Sequence, residues 1–103
     1  MDQLKIEGTL PVALKKLVGQ TTIESKQIVM KQLTAIEYYD AQAKLLPGQY
    51  IGIGDLVAMT KLVDKDGQEH EITYDMLGHS SKSNLDYLNR KKEELEAKEQ
   101  AES

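Results

Sequence analysis

The last third of the chain, residues 73–103, most narrowly limits the fold. It predicts a short helix, a glycine stop, and a capped helix that begins apolar and ends almost wholly charged. Thr73-Tyr74-Asp75-Met76-Leu77-Gly78 reads as one turn closed by Gly78, a residue suited to the left-handed conformation that ends helices. Ser81 or Ser83 then accepts from the free amide groups that open the next helix. Leu85 and Leu88 lie one turn apart, and Leu95 falls near the same face two turns later. Past Asn89, Leu95 is the only large apolar residue, so residues 89–103 read as a polar helical tail with little to bury. A helix over 83–101 would run roughly 28 Å. Its i,i+4 pairs, Arg90–Glu94, Lys92–Glu96, Glu94–Lys98 and Lys98–Glu102, each add only about 0.2–0.5 kcal/mol. Such a helix suits a protein that holds other chains better than one that transforms small molecules.

The N-terminal third has strand character. Residues 1–8 read as a polar lead-in. Leu10, Val12 and Leu14 then alternate around Pro11, which places the strand at a sheet edge or places Pro11 at its start. Residues 15–20, with Gly19, read as a hairpin connection. Residues 21–32 carry Ile23, Ile28, Val29 and Met30, and the alternation breaks at Ser25-Lys26-Gln27, the mark of a bend or bulge. The two strands are expected to pair antiparallel.

Helical signals fill the middle. Thr34-Ala35-Ile36-Glu37 is a capping box, and Ile36, Tyr39, Ala43 and Leu46 share the face of the helix it opens, which Pro47-Gly48 ends. Asp55 caps a second helix with Leu56, Met59, Thr60 and Val63 at helical spacing. A competing reading makes Lys61-Leu62-Val63 and Glu71-Ile72-Thr73 the arms of a hairpin about Asp66-Gly67. The helix is preferred, because Leu56-Val57-Ala58-Met59 carries the apolar period without a strand boundary. The expected fold is α+β: an N-terminal antiparallel β-hairpin followed by three to four α-helices, the last long and charged. At 103 residues it forms one domain, with the hairpin at 9–32, a helical core at 34–88 and the polar tail at 89–103.

Composition narrows the chemistry. Phe and Trp are absent, so the core draws on Leu, Ile, Val, Met and the five Tyr. A net charge of −4 argues against a nucleic-acid partner. The absence of Cys excludes disulfides and thiolate sites, and it fits a reducing compartment. No segment resembles a signal peptide or approaches the ~20 apolar residues of a membrane span, so the cytoplasm is the expected compartment.

Catalytic and cofactor signals are weak. His70 sits in Gln68-Glu69-His70-Glu71 and reads as solvated, and His79, just past a helix stop, reads as a loop or helix-end residue. Gly52-Ile53-Gly54 lacks the rest of a dinucleotide or P-loop pattern. Asp64-Lys65-Asp66-Gly67 departs from a calcium loop, since its glycine comes two positions early, and it reads as a turn. No catalytic set, cofactor site or metal site is expected. Of Tyr38 and Tyr39, the second is placed in the core and the first at its border, with a partner contact as the other reading of Tyr38.

The order of these pieces resembles the small tail assembly chaperones of Mu-like contractile-tailed bacteriophages. The likeness covers about residues 8–98. It comprises the Leu10-Pro11-Val12 strand, a second strand running into the Thr34-to-Glu37 helix start, and a middle helix from Leu56 to Val63. The Thr73-x-x-Met76-Leu77-Gly78 turn and the Asn84-Leu85-Asp86 helix with its charged end complete it. Lys15-Lys16 and Ser25-Lys26-Gln27 depart from the family pattern. The resemblance implies a non-enzymatic protein of the bacterial host cytoplasm, without cofactor. It would bind the tape-measure protein, keep its apolar helical segments soluble, and leave before the virion is complete. The tail tube protein is a further partner on this reading, self-association stays open, and no membrane or nucleic acid is involved. Some members also exist as a longer, frameshifted form. Tyr38, Leu56, Met59, Leu85, Tyr87 and Leu88 would line or border the client surface. The alternative is a small structural or adaptor protein of a phage or prophage particle.

Overall fold

The computed structural model describes residues 4–102. Strands β1 (Lys5–Val18) and β2 (Thr21–Lys31) form the N-terminal hairpin, and α1 (Ala35–Ala43) follows. Helix α2 (Ile51–Met59) runs straight into β3 (Thr60–Val63), which pairs with β4 (Glu69–Glu71). Helices α3 (Tyr74–Gly78) and α4 (Lys82–Glu102) complete the chain. The four strands form one antiparallel sheet in the order β1-β2-β3-β4. The α+β expectation, with its N-terminal hairpin and long charged last helix, matches this architecture.

The hairpin is longer than its sequence pattern suggests. Residues 15–18 belong to β1, and the turn is only Gly19-Gln20, between the paired Val18 and Thr21. Gly19 has φ +62°, the backbone that two-residue hairpin turns require. Lys5–Gly8 of the supposed lead-in pair with Ile28–Lys31; residues 1–3 lie outside the described residues. The irregularity expected at Ser25-Lys26-Gln27 is present, but its extra residues sit on the partner strand. Thr9 pairs with Gln27 and Leu14 with Ser25, so residues 10–13 stand opposite Lys26 alone. Pro11, which has no N–H to give a ladder, lies in this bulge.

Helix α4 fills the gap that the bulge leaves. Asn84, fully buried, accepts from the Val12 amide (3.0 Å) and donates its own amide to the Val12 carbonyl (3.0 Å), taking the place of a missing strand neighbour. One turn later the Tyr87 hydroxyl accepts from the Thr9 amide at 2.8 Å. Such close approach needs Gly8, where a methyl group would overlap the Tyr87 hydroxyl oxygen. Ser81, not Ser83, caps α4, its Oγ accepting from the Ser83 amide.

Leu88 and Leu95 of α4 are both fully buried in a core with Leu10, Leu14, Ile28, Met30, Leu56 and Leu62. The distal half of α4 is therefore not a free tail. Seven residues make about two turns, which return Leu95 to the face of Leu88. The Gln32 side-chain amide also donates to Glu99 near the helix end (3.2 Å). Glu94 pairs with Lys91, not with Arg90 as its spacing offered, while Lys82 meets Asp86.

Three other expectations change. The helix preferred over residues 56–63 stops at Met59, and Thr60–Val63 is a strand of the β3–β4 hairpin, so the competing hairpin reading describes the second half of that segment. Asp55 is not a cap, because α2 begins at Ile51; the Tyr50 amide is instead held by the Tyr74 hydroxyl at 2.8 Å. Gly78 does not adopt a left-handed backbone, and α3 ends at His79 with φ −98°. The cap read at Thr34 forms, and Thr73, not expected as a cap, caps α3 by accepting from the Met76 amide.

Candidate functional site

Helix α1 owes its order to local chemistry. Thr34 Oγ1 accepts from the Glu37 amide (3.2 Å), and Glu37 Oε1 accepts from the Thr34 amide (2.9 Å), which completes the capping box. No side chain of α1 is buried. The face expected to enter the core points to solvent: Ile36 is 74% exposed and Tyr39 68%. Leu46, Tyr50 and Ile51, in the connection to α2 and its first turn, are likewise exposed. An amphipathic helix that turns its apolar stripe outward has the form of a contact surface.

Tyr39 does not enter the core, while Tyr38 keeps a border position. Tyr39 stands free, while Tyr38 is the less exposed of the two, and the rings meet edge to face at 5.5 Å. Both tyrosines line a groove of about 410 Å³ between α1 and α4, together with Leu33, Met59, Lys92 and Glu96. On the other side of α1 a second groove, about 460 Å³, is walled by Leu33, Leu45, Val57, Ile72 and Tyr74, with Glu37, Lys44 and Lys61 among its polar lining. Helix α1 thus stands off the body with an open channel along each flank.

Each groove is lined by a residue that carries a buried, unsatisfied oxygen. Among the described residues, Asp55 Oδ1 and Thr60 Oγ1 are buried side-chain atoms without a hydrogen-bond partner. Asp55 lines the α1–α4 groove and Thr60 the other.

The residues expected to form a client surface separate into three groups. Leu56, Met59 and Leu88 are core, so they hold the sheet and helices together and cannot offer an open face; Met59 alone also borders a groove. Leu85 and Tyr87 are half-buried against the core, with the Tyr87 hydroxyl committed to β1. Tyr38 remains at a groove. The exposed residues Ile36, Tyr39, Leu46, Tyr50 and Ile51 were missed because sequence periodicity marks a stripe as apolar without saying what covers it. Asp55 was missed because an acid near a helix start reads as a cap. A sharper signal was its setting between Ile53 and Leu56, both apolar.

The histidines have local duties. His70 is largely buried, not solvated, and its Nε2 lies 2.8 Å from Asp64 Oδ2. Asp64 Oδ1 accepts from the amides of Asp66 and Gln68, so this carboxylate shapes the β3–β4 turn. The His70 contact, followed by the Gln68 amide, holds the Asp64 carboxyl below its ordinary range. His79 is exposed at the end of α3. Among the described residues, no group of three or more potential metal ligands is present, and no helix is long and apolar enough to cross a membrane. Comparison with protein-family models, with curated proteins and with solved structures finds no match.

Proposed function

We propose that this chain is a non-catalytic binding protein for an apolar helical segment, and specifically a tail assembly chaperone. In this role it shelters tape-measure protein in the host cytoplasm until the tail tube forms. The observation that carries the reading is the outward face of α1. Ile36 and Tyr39 are ordered by a capping box yet left uncovered, above grooves that run on both sides of the helix. A groove beside a helix is a common seat for an amphipathic segment, whose apolar side chains enter at helical spacing. Tyrosine suits such a surface, since it offers a broad apolar ring with a polar tip. The net charge of −4 keeps the complex soluble while the apolar patch is occupied.

Co-expression with a tape-measure fragment is the direct test. The fragment should move from the insoluble to the soluble fraction with the wild-type chain and much less with Ile36→Ser/Tyr39→Ser. Unchanged solubility of the fragment with the wild-type chain sinks the proposal. Recovery of the chain at fixed stoichiometry from purified particles would instead make it a structural component.

A further inference from the structure

The sharpest anomaly in the molecule is Asp55. Its residue is only 7% exposed, and Oδ1 has no hydrogen-bond partner. Burying a carboxylate oxygen without a donor or counter-charge destabilises a fold. The local structure does not need an acid there: α2 begins four residues earlier, and Leu56 and Met59 beside it serve the core. A group that lowers the stability of the free chain commonly has its partner elsewhere.

The surroundings of Asp55 indicate what that partner is. Asp55, Glu96 and Glu99 line the α1–α4 groove with Lys92, three carboxylates to one ammonium among the described lining residues. Glu99 already accepts from Gln32, while Lys92 leaves Asp55 Oδ1 unpaired. The opposite wall carries Tyr38 and Tyr39, whose ring faces attract a cation, and Met59 supplies apolar surface for an aliphatic stem. Among the described residues no three potential ligands gather to hold a metal ion, so the unpaired Asp55 in this partly apolar, acidic groove matches the side chain of Lys or Arg better.

Accepting the binding role proposed above, we infer that the α1–α4 groove receives a Lys or Arg side chain from the client helix. Its cationic head pairs with Asp55 and its stem lies against Tyr38 and Met59. Apolar neighbours on the same client helix cover Tyr39 and Ile36. Asp55 then acts as a selector: among apolar helices, the chain prefers those with a basic residue on the margin of the apolar face. A charge-assisted hydrogen bond in a desolvated site gives a preference of roughly 10- to 100-fold.

Three fluorescent helical peptides, otherwise identical and Leu/Ala-rich, test this with the full chain near physiological ionic strength. One has Lys at the apolar margin, the second has norleucine there, and the third has its Lys on the polar face. Anisotropy titration should show the first binding roughly 10- to 100-fold tighter than either of the others. With Asp55→Asn that advantage should vanish, while norleucine-peptide affinity stays within about threefold. The melting temperature of Asp55→Asn should equal or exceed that of wild type, since Oδ1 has no hydrogen bond within the fold to lose. Equal binding of all three peptides to the wild type overturns the cation anchor and leaves the apolar-face reading standing. Binding of none overturns both. A lower melting temperature for Asp55→Asn would show that Asp55 has a partner within the fold, and would also overturn the anchor.

Discussion

Replacing Asn84 with alanine tests what holds the last helix to the bulged first strand. The substitution removes two hydrogen bonds, from the Val12 amide to Asn84 Oδ1 and from Asn84 Nδ2 to the Val12 carbonyl. Each neutral bond is worth about 1 kcal/mol net. The backbone groups left behind add a further penalty, moderated because Val12 is 45% exposed and water can reach part of the bulge. The expected loss is about 2–3 kcal/mol, large against the 5–15 kcal/mol by which domains are usually stable. For a domain of this size it lowers the melting temperature by about 10–20 °C. Asn84→Asp sharpens the test. It keeps the acceptor for the Val12 amide but sets a second oxygen against the Val12 carbonyl, so it should destabilise at least as much despite its near-identical shape. Urea unfolding followed by circular dichroism measures the loss, and an unchanged m-value confirms that the unfolded state is the same. Amide exchange at Val12 should accelerate in step. If Asn84→Ala unfolds within about 0.5 kcal/mol of wild type, the side chain is not acting as a substitute strand and the reasoning fails.

Gly8→Ala should destabilise by about 1–3 kcal/mol, because its methyl group meets the Tyr87 hydroxyl. Adding Tyr87→Phe should restore part of that loss, whereas simple additivity in a double-mutant cycle would refute the clash. Leu95→Ala should lower stability by about 2–5 kcal/mol, measured by chemical denaturation, since the side chain is fully buried. Ile36→Ser and Tyr39→Ser should each stay within about 0.5 kcal/mol of wild type in the same assay. The depressed folded pKa of Asp64 means that its contribution is complete above the unfolded carboxylate value near ~4 and is lost as pH falls through the lower folded value. Stability of the wild type should therefore fall more steeply than that of Asp64→Asn below about pH 4.5, and equal slopes in acid-dependent melts would refute the role of the His70 contact.

What could be read in the sequence was local. The capping box at Thr34 and Glu37, the serine cap read at Ser81 or Ser83 and found at Ser81, and the paired N-terminal strands depend on neighbours along the chain, and they form. What escaped depends on distant residues. The Asn84–Val12 tie joins positions 72 apart, and no local signal marks an asparagine near a helix start as a strand substitute. Leu95 lies in a charged run that reads as a tail, yet a single leucine two turns beyond Leu88 suffices to press the helix onto the sheet. The switch from α2 to β3 at Thr60 has no Gly or Pro to announce it. There the helical period of Leu56 and Met59 gives way to sheet pairing, with Leu62 opposite Ile28.

The apolar residues of the chain divide by position. Residues 10–30 and 56–95 supply the buried core, while residues 36–51 hold most of the large side chains left in solvent. A helix of nine residues is marginal in water by itself, so α1 depends on its capping box and on anchorage at its C-terminal side. There Leu45 packs against Gly54 so closely that a methyl group would collide with it, and the Tyr74 hydroxyl fastens the backbone at Tyr50. These contacts hold the ends of the 36–51 segment without covering its apolar face. On the proposed binding role, burying Ile36 or Tyr39 under a client would contribute about 1.5–3 kcal/mol each without repacking the core. On that role, fold and contact surface are therefore separable by mutation: changes within 36–51 that spare Leu45 should alter what the chain holds, and changes at Asn84, Leu88 or Leu95 should alter whether it folds.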